Sequence, residues 1–265
     1  MIRRIVLSWL ATALFAAQAG TLRDDANQLV EIPPPAKRVV TLSPHTTELL
    51  YAAGGPDLLI AAPAHAGDLP RHVAPIATLG GIDRERMLKL APDLVLAWAS
   101  GNRASDLAWL RAQGIRVYQS EPENMRQIAH NIRAIGQLIG RPDTAEQAAT
   151  EFLAQLQRAC AGRAAQEVYV SIWDHPAMSV GGRHWLNDAL AYAGLQNTYG
   201  SVARGVFAVE RESLLSRSAL LQVSPRQQQG GTGHRVAVEA LSRPSPALAA
   251  GIAQLCRETA ARPID

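Results

Sequence analysis

Two stretches of this chain recur, in the same order, in its second half. Ile82-Asp83-Arg84-Glu85-Arg86-Met87-Leu88 is echoed by Val209-Glu210-Arg211-Glu212-Ser213-Leu214-Leu215, and at the same offset Leu94-Val95-Leu96 falls on Leu221-Gln222-Val223. Glu48-Leu49-Leu50-Tyr51-Ala52-Ala53-Gly54 likewise resembles Asp188-Ala189-Leu190-Ala191-Tyr192-Ala193-Gly194. Helices of like composition match by chance one at a time; two matches in the right order weigh against chance. The chain therefore reads as one structural unit used twice.

The local patterns say what that unit is. After Pro33-Pro34-Pro35, which cannot continue a helix, residues 38–42 form a short apolar run that predicts a buried strand. Ser43-Pro44 ends it, and residues 46–53 predict a helix stopped by Gly54-Gly55. Asp83 is placed to cap a second helix that Pro92 closes, and residues 94–98 are again a buried strand. Residues 107–113 predict a helix, Gly114 its end, and residues 115–118 the next strand. Such alternation is the mark of a parallel sheet with helices on both faces.

The middle of the chain breaks the rhythm. Ile128, Ile132, Ile135, Leu138 and Ile139 share one helical face, and residues 143–161 continue as a second helix carrying Ala145, Ala149, Phe152 and Leu156. With Gly140-Arg141-Pro142 as its only break, this is a helical connection between two lobes. The expected fold class is α/β: two Rossmann-like lobes joined by a long rigid helix. The expected division is a signal peptide over 1–19, an N-terminal lobe over 20–120, the helical connection over 121–162 and a C-terminal lobe over 163–265.

The first residues carry an export signal: Arg3-Arg4, an apolar stretch over 5–17 short for a membrane span, and small residues at Ala17-Gln18-Ala19. An N-terminal anchor is the other reading, but no second apolar segment approaches spanning length. Cleavage after about Ala19 places the mature protein in the periplasm, with no cysteine near the cut to take a lipid. Cys160 and Cys256 permit at most one disulfide and exclude a cysteine-rich scaffold; whether they pair is left open by their distance in sequence. A net charge of +3, with both signs scattered, offers no basic track for nucleic acid.

Particular segments resemble the periplasmic binding proteins in which a rigid helix joins two α/β lobes, and within them the cobalamin-binding members. They are residues 38–44 with Thr47-Glu48-Leu49 and Gly54; Leu90-Ala91-Pro92-Asp93-Leu94-Val95 with Ala97-Trp98 and Gly101-Asn102; and Ser245-Pro246 leading into residues 249–256. Ala-Pro-Asp-Leu-Val is common to the class, whereas Ala97-Trp98 with Gly101-Asn102 leans towards cobalamin receptors. The resemblance implies a bulky metal-chelate ligand, a corrinoid, gripped between lobes and handed to the permease dimer of an inner-membrane ABC transporter. It implies a monomer without a cofactor of its own or a resident metal.

Open α/β sheets place ligands at the carboxyl ends of their strands. In the first lobe that edge offers Ser43, Pro44, His45, Leu79, Gly80 and Trp98; in the second, Trp173, Met178, Phe207, Glu239 and Arg243. Aromatic and aliphatic walls with a few hydrogen-bonding groups suit a flat macrocycle with amide arms. Each has a plainer reading: Trp98 as core filling, His45 as a surface hydrogen-bonder, Arg243 with Glu239 as a solvated pair, Trp109 as packing. His175 and His184 flank the second edge without metal-site spacing. Where cobalamin receptors tend to carry aromatics, Leu79 and Val206 are aliphatic here. In the family, an exposed Glu in each lobe meets arginines of the permease; the matching positions are Glu85 and Glu212. A haem or ferric-siderophore receptor is the alternative within transport, the first favouring a Tyr or His axial ligand and the second a basic pocket. A periplasmic enzyme is the rival from outside it, and the chain lacks a G-x-S-x-G elbow, a phosphate-binding glycine loop and an H-E-x-x-H helix.

Overall fold

The computed structural model describes residues 20–78, 80–161, 164–210, 212–213, 220–225 and 235–260. The signal-peptide reading of 1–19 lies outside them. The hairpin of β1 (Thr21–Arg23) and β2 (Leu29–Glu31) leads into a sheet of five parallel strands. These are β3 (Val39–Thr41), β4 (Leu59–Pro63), β5 (Ala74–Ile76), β6 (Leu94–Trp98) and β7 (Arg116–Ser120), in the spatial order β5-β4-β3-β6-β7. The chain runs outward from β3 to β5, then returns to the other side of β3 for β6 and β7. The strand order thus reverses between β3 and β6.

Three helices cover this sheet: α1 (Pro44–Ala52), α2 (Arg84–Leu90) and α3 (Ala104–Ala112). The first begins two residues earlier than its sequence suggests. Ser43 does not merely end the strand: its hydroxyl and Thr46 form a reciprocal capping box, and Pro44 fits the first turn, where no amide donor is needed. Asp83 caps α2 by accepting the Arg86 amide at 3.0 Å, as expected. Ala91 then takes a left-handed conformation, φ 43°, and ends the helix before Pro92. The third helix also starts early, at Ala104, with no side-chain cap.

The connection is α4 (Met125–Leu138) and α5 (Pro142–Ala159), broken where Gly140 adopts φ 72°. A methyl added at Gly136 would collide with Ala145 Cβ and lie 3.1 Å from the Arg141 carbonyl, so glycine is what lets the two helices cross closely. Arg141 braces the bend by pairing with Asp57 at 2.6 Å and donating to the Gly54 carbonyl.

Beyond it, β8 (Gln166–Val170), β11 (Leu195–Asn197), β13 (Leu221–Ser224) and β14 (Arg235–Ala237) form a parallel sheet ordered β11-β8-β13-β14. This is the order β4-β3-β6-β7 again, with Leu94-Val95-Leu96 and Leu221-Gln222-Val223 on the matching strands, and α6 (Leu186–Tyr192) matching α1. The duplication is therefore one of topology as well as sequence. An antiparallel sheet of β9 (Trp173–Asp174), β10 (Ala177–Val180) and β12 (Val206–Ala208) is added to the second lobe. The final helix, α7 (Leu248–Ala260), packs on α5, and Cys160 and Cys256 form a disulfide with their Cα atoms 5.9 Å apart.

One continuous apolar core runs from Leu49 and Leu94 of the first lobe through Ile128, Ile132 and Phe152 to Val170, Val223 and Leu255 of the second. A separate cluster, including Val40, Val95, Met87 and Leu107, fills the other face of the first sheet. The connection is thus built into the core of both lobes. Moving one lobe against the other would expose close-packed side chains.

Candidate ligand cleft

A reversal of strand order leaves a crevice at the carboxyl ends of the two strands that flank it. In the first lobe those strands are β3 and β6, which deliver Ser43-Pro44-His45 and Trp98 to one place. Ser43 Oγ lies 3.0 Å from His45 Nδ1 and 2.9 Å from Thr46 Oγ1. His45 meets Trp98 edge-on, ring centroids 5.8 Å apart at 86°. His45 is buried at 3% exposure, so the plainer surface reading gives way: the capping box turns the side chain inward, towards the end of β6. Burial pushes its imidazole down to about 4; the Ser120 carbonyl opposes this and the charge of Arg243 adds to it. The ring is neutral at ordinary pH, and its Nε2 has no hydrogen-bond partner.

Trp98 is not core filling. Four residues of β6 are buried, but Trp98, the last, is 41% exposed. Its backbone amide donates to Asn102 Oδ1 at 2.7 Å, and its indole Nε1 donates to Glu121 Oε1 at 3.2 Å. Gly80 is exposed at φ 85°, a left-handed turn open on its Cβ side, and Leu79 lies outside the described residues.

In the second lobe Trp173 follows β8, is 48% exposed and donates its indole N–H to the His175 carbonyl at 2.8 Å. Met178 pairs with Trp173 across β9 and β10 and so shares its face. Phe207 pairs with Ser179 instead, which turns it to the opposite face of that sheet, where its ring meets Tyr199 at 5.3 Å, edge-on. The strand register therefore separates two residues that the sequence reading put on one wall. Glu239 is exposed on a 3-10 turn (Glu239–Ser242). Arg243 does not form its ion pair with Glu239: its Nε lies 2.5 Å from Glu48 Oε1 on α1, the turn having swung it across to the first lobe.

The second lobe also holds an ion pair absent from the sequence reading. Arg235 reaches Asp174 at 3.1 Å, and Ser171 donates to the same carboxylate at 2.8 Å, tying the turn after β8 to β14. His184 lies near Trp185, accepts the Leu186 amide at 3.2 Å and is pushed by burial down to about 4. Among the described residues no cluster of His, Cys, Asp and Glu has the makings of a metal site, and no helix is long and apolar enough to cross a membrane.

The profile described as periplasmic binding protein matches residues 39–226, which takes in both strand reversals and the helical connection. The chain belongs to this family. Within the family, the chain is 32% identical over 209 residues to the vitamin B12-binding protein of Vibrio campbellii, covering 75% of this chain and 74% of that one. Among solved structures it is similar to the periplasmic vitamin B12 binding protein BtuF of Vibrio cholerae, with a TM-score of 0.73 at 24% identity, covering 86% of this chain and 98% of that chain. The heme binding protein HmuT shares the fold with a TM-score of 0.70 at 15% identity, over 91% of this chain and 90% of that one.

For a periplasmic binding protein the arrangement has a clear chemical meaning. An indole face, buried neutral polar groups and a guanidinium held by a carboxylate meet where the two lobes approach, which suits an apolar ligand with polar arms. Glu48 and Glu121, which organise Arg243 and Trp98, were missed. Glu121 follows β7 directly, so the rule that selected Ser43 and Trp98, the carboxyl end of a strand, selects it too.

Proposed function

We propose that this protein captures a corrinoid, cobalamin or a relative, in the periplasm and delivers it to the permease dimer of an ABC importer. The observation that carries the reading is the exposed indole of Trp98 at the strand reversal of the first lobe, within a sequence related to vitamin B12-binding proteins. Ser43, Pro44, His45, Leu79, Gly80 and Trp98 form one wall in this proposal. Trp173, Met178, Glu239 and Arg243 form the other, with Phe207 supporting it from behind. The lobes span 20–120 and 163–265, the connection 121–162, and residues 1–19 direct export and are cleaved from the mature protein. Glu85 and Glu212 dock the loaded receptor: both are exposed, in separate lobes, and Glu85 sits in the first turn of α2, 2.6 Å from Lys89.

The experiment is replacement of Trp98 by Ala. Affinity for cyanocobalamin falls by about 1–3 kcal/mol while thermal stability barely moves, as expected for an exposed aromatic contact. Unchanged affinity with a large loss of stability contradicts the reading. The second reading, a haem or ferric-siderophore receptor, is favoured by the unpartnered, neutral His45 Nε2, an imidazole nitrogen of the kind that binds haem iron. Against it stands the burial of that ring at 3% exposure.

A further inference from the structure

We propose that Glu121 is a positioning residue for ligand binding: it fixes the Trp98 ring in the orientation that the ligand meets. This rests on the reading of Trp98 as a ligand contact. An exposed tryptophan at the end of a strand ordinarily samples several rotamers, and ordering it on binding weakens affinity. Here the ring is ordered beforehand.

The Glu121 carboxylate does two things at once. Oε1 accepts the indole Nε1–H of Trp98 at 3.2 Å, and Oε2 accepts the Ser100 amide at 2.7 Å, so one group holds both the ring and the turn that follows it. Asn102 closes the turn from the other side, accepting the Trp98 amide at 2.7 Å and donating to the Leu42 carbonyl at 3.4 Å. Gly101 lies against the six-membered part of the indole, where any Cβ would overlap it. The ring is thus bounded by Gly101, by the edge of His45 and by the Glu121 carboxylate, leaving 41% of the residue open.

Glu121 is itself anchored. Its amide donates to Asp25 Oδ2 at 2.6 Å, and the same oxygen accepts Asn131 Nδ2 at 2.7 Å. Asn131 is buried on α4, where Tyr118 also donates to it at 2.7 Å. A strut of hydrogen bonds therefore runs from the central helix through Asp25 and Glu121 to the indole. A carboxylate is the right group for its end, because both of its oxygens accept, as two donors require. A glutamine offers one accepting oxygen and an amide that would face the second donor.

The test uses the purified, nitrogen-15-labelled protein, with the Trp98 indole resonance assigned by its loss in Trp98→Phe and with cyanocobalamin as the probe. In Glu121→Gln this resonance moves upfield, the other indole resonances stay in place, and affinity falls about tenfold. A Trp98 resonance that is the same in both proteins overturns the proposal, and so does a moved resonance with unchanged affinity. If Glu121→Gln does not fold, Glu121→Asp, whose shorter side chain draws the acceptor away from the indole, is read in its place: an unmoved Trp98 resonance overturns the proposal. Failure of the unaltered protein to bind cyanocobalamin overturns the ligand reading instead, and the Trp98 resonance in the Glu121 variants still reports whether Glu121 holds the ring.

Discussion

Arg243 and Glu48 join the two lobes, Nε to Oε1, at 2.5 Å. Their counterpart lies at the matching place in the other copy of the repeat. Asp188 on α6 stands where Glu48 stands on α1, and it accepts the Met125 amide at 2.7 Å, at the start of the connecting helix. Each copy of the unit therefore uses the same carboxylate position to hold the segment that follows the last strand of the other lobe's sheet.

The Arg243–Glu48 pair is partly exposed, so its contribution is modest. A double-mutant cycle with Glu48→Gln and Arg243→Gln, followed by urea denaturation, should give a coupling of about 1 kcal/mol. Additive single effects would show that the pair does not hold the lobes together.

Acid weakens this protein in a defined window. His45 and His184 ordinarily titrate near 6.5, and burial in the fold moves both down to about 4. Between those values the unfolded chain binds protons that the folded chain does not. Stability is therefore full above the unfolded value, falls as the pH drops through the window, and levels off below the folded value. Each histidine contributes at most about 3 kcal/mol to that fall. Asp57, held below the carboxylate range by Arg141, adds a loss only at more acid pH. Urea melts across the window should show the slope, and His45→Gln should reduce it; equal stability at both ends would contradict the account.

Docking and ligand capture should separate cleanly. With Glu85→Ala and Glu212→Ala combined, cyanocobalamin affinity stays the same while uptake by the cognate transporter is lost, because charge pairs at a rim govern recognition rather than a distant cleft. Retained uptake, or affinity lost in parallel, contradicts docking and leaves Glu85 as a charge in the first turn of α2.

The repeated parallel α/β unit was legible in sequence because Leu94-Val95-Leu96 and Leu221-Gln222-Val223 recur at one offset, and apolar runs and helix caps such as Asp83 act locally; the order of the strands was not. Side-chain partners were less so. Nothing near Arg243 in sequence announces Glu48, 195 residues away, and the turn that swings it over is a tertiary event. The facing of Phe207 was hidden for a similar reason: it depends on the register of β12 against β10, which two short strands do not declare. The burial of His45 was hidden because a Ser-Pro start suggests a surface turn, the plainer of its two readings, whereas here the capping box seals it.

The most direct test of the central claim is calorimetry of the purified protein against cobalamin, cobinamide, haemin and a ferric siderophore. The account predicts micromolar or tighter binding of a corrinoid, with one ligand per chain. Heat released by haemin or the siderophore, and none by either corrinoid, would contradict it.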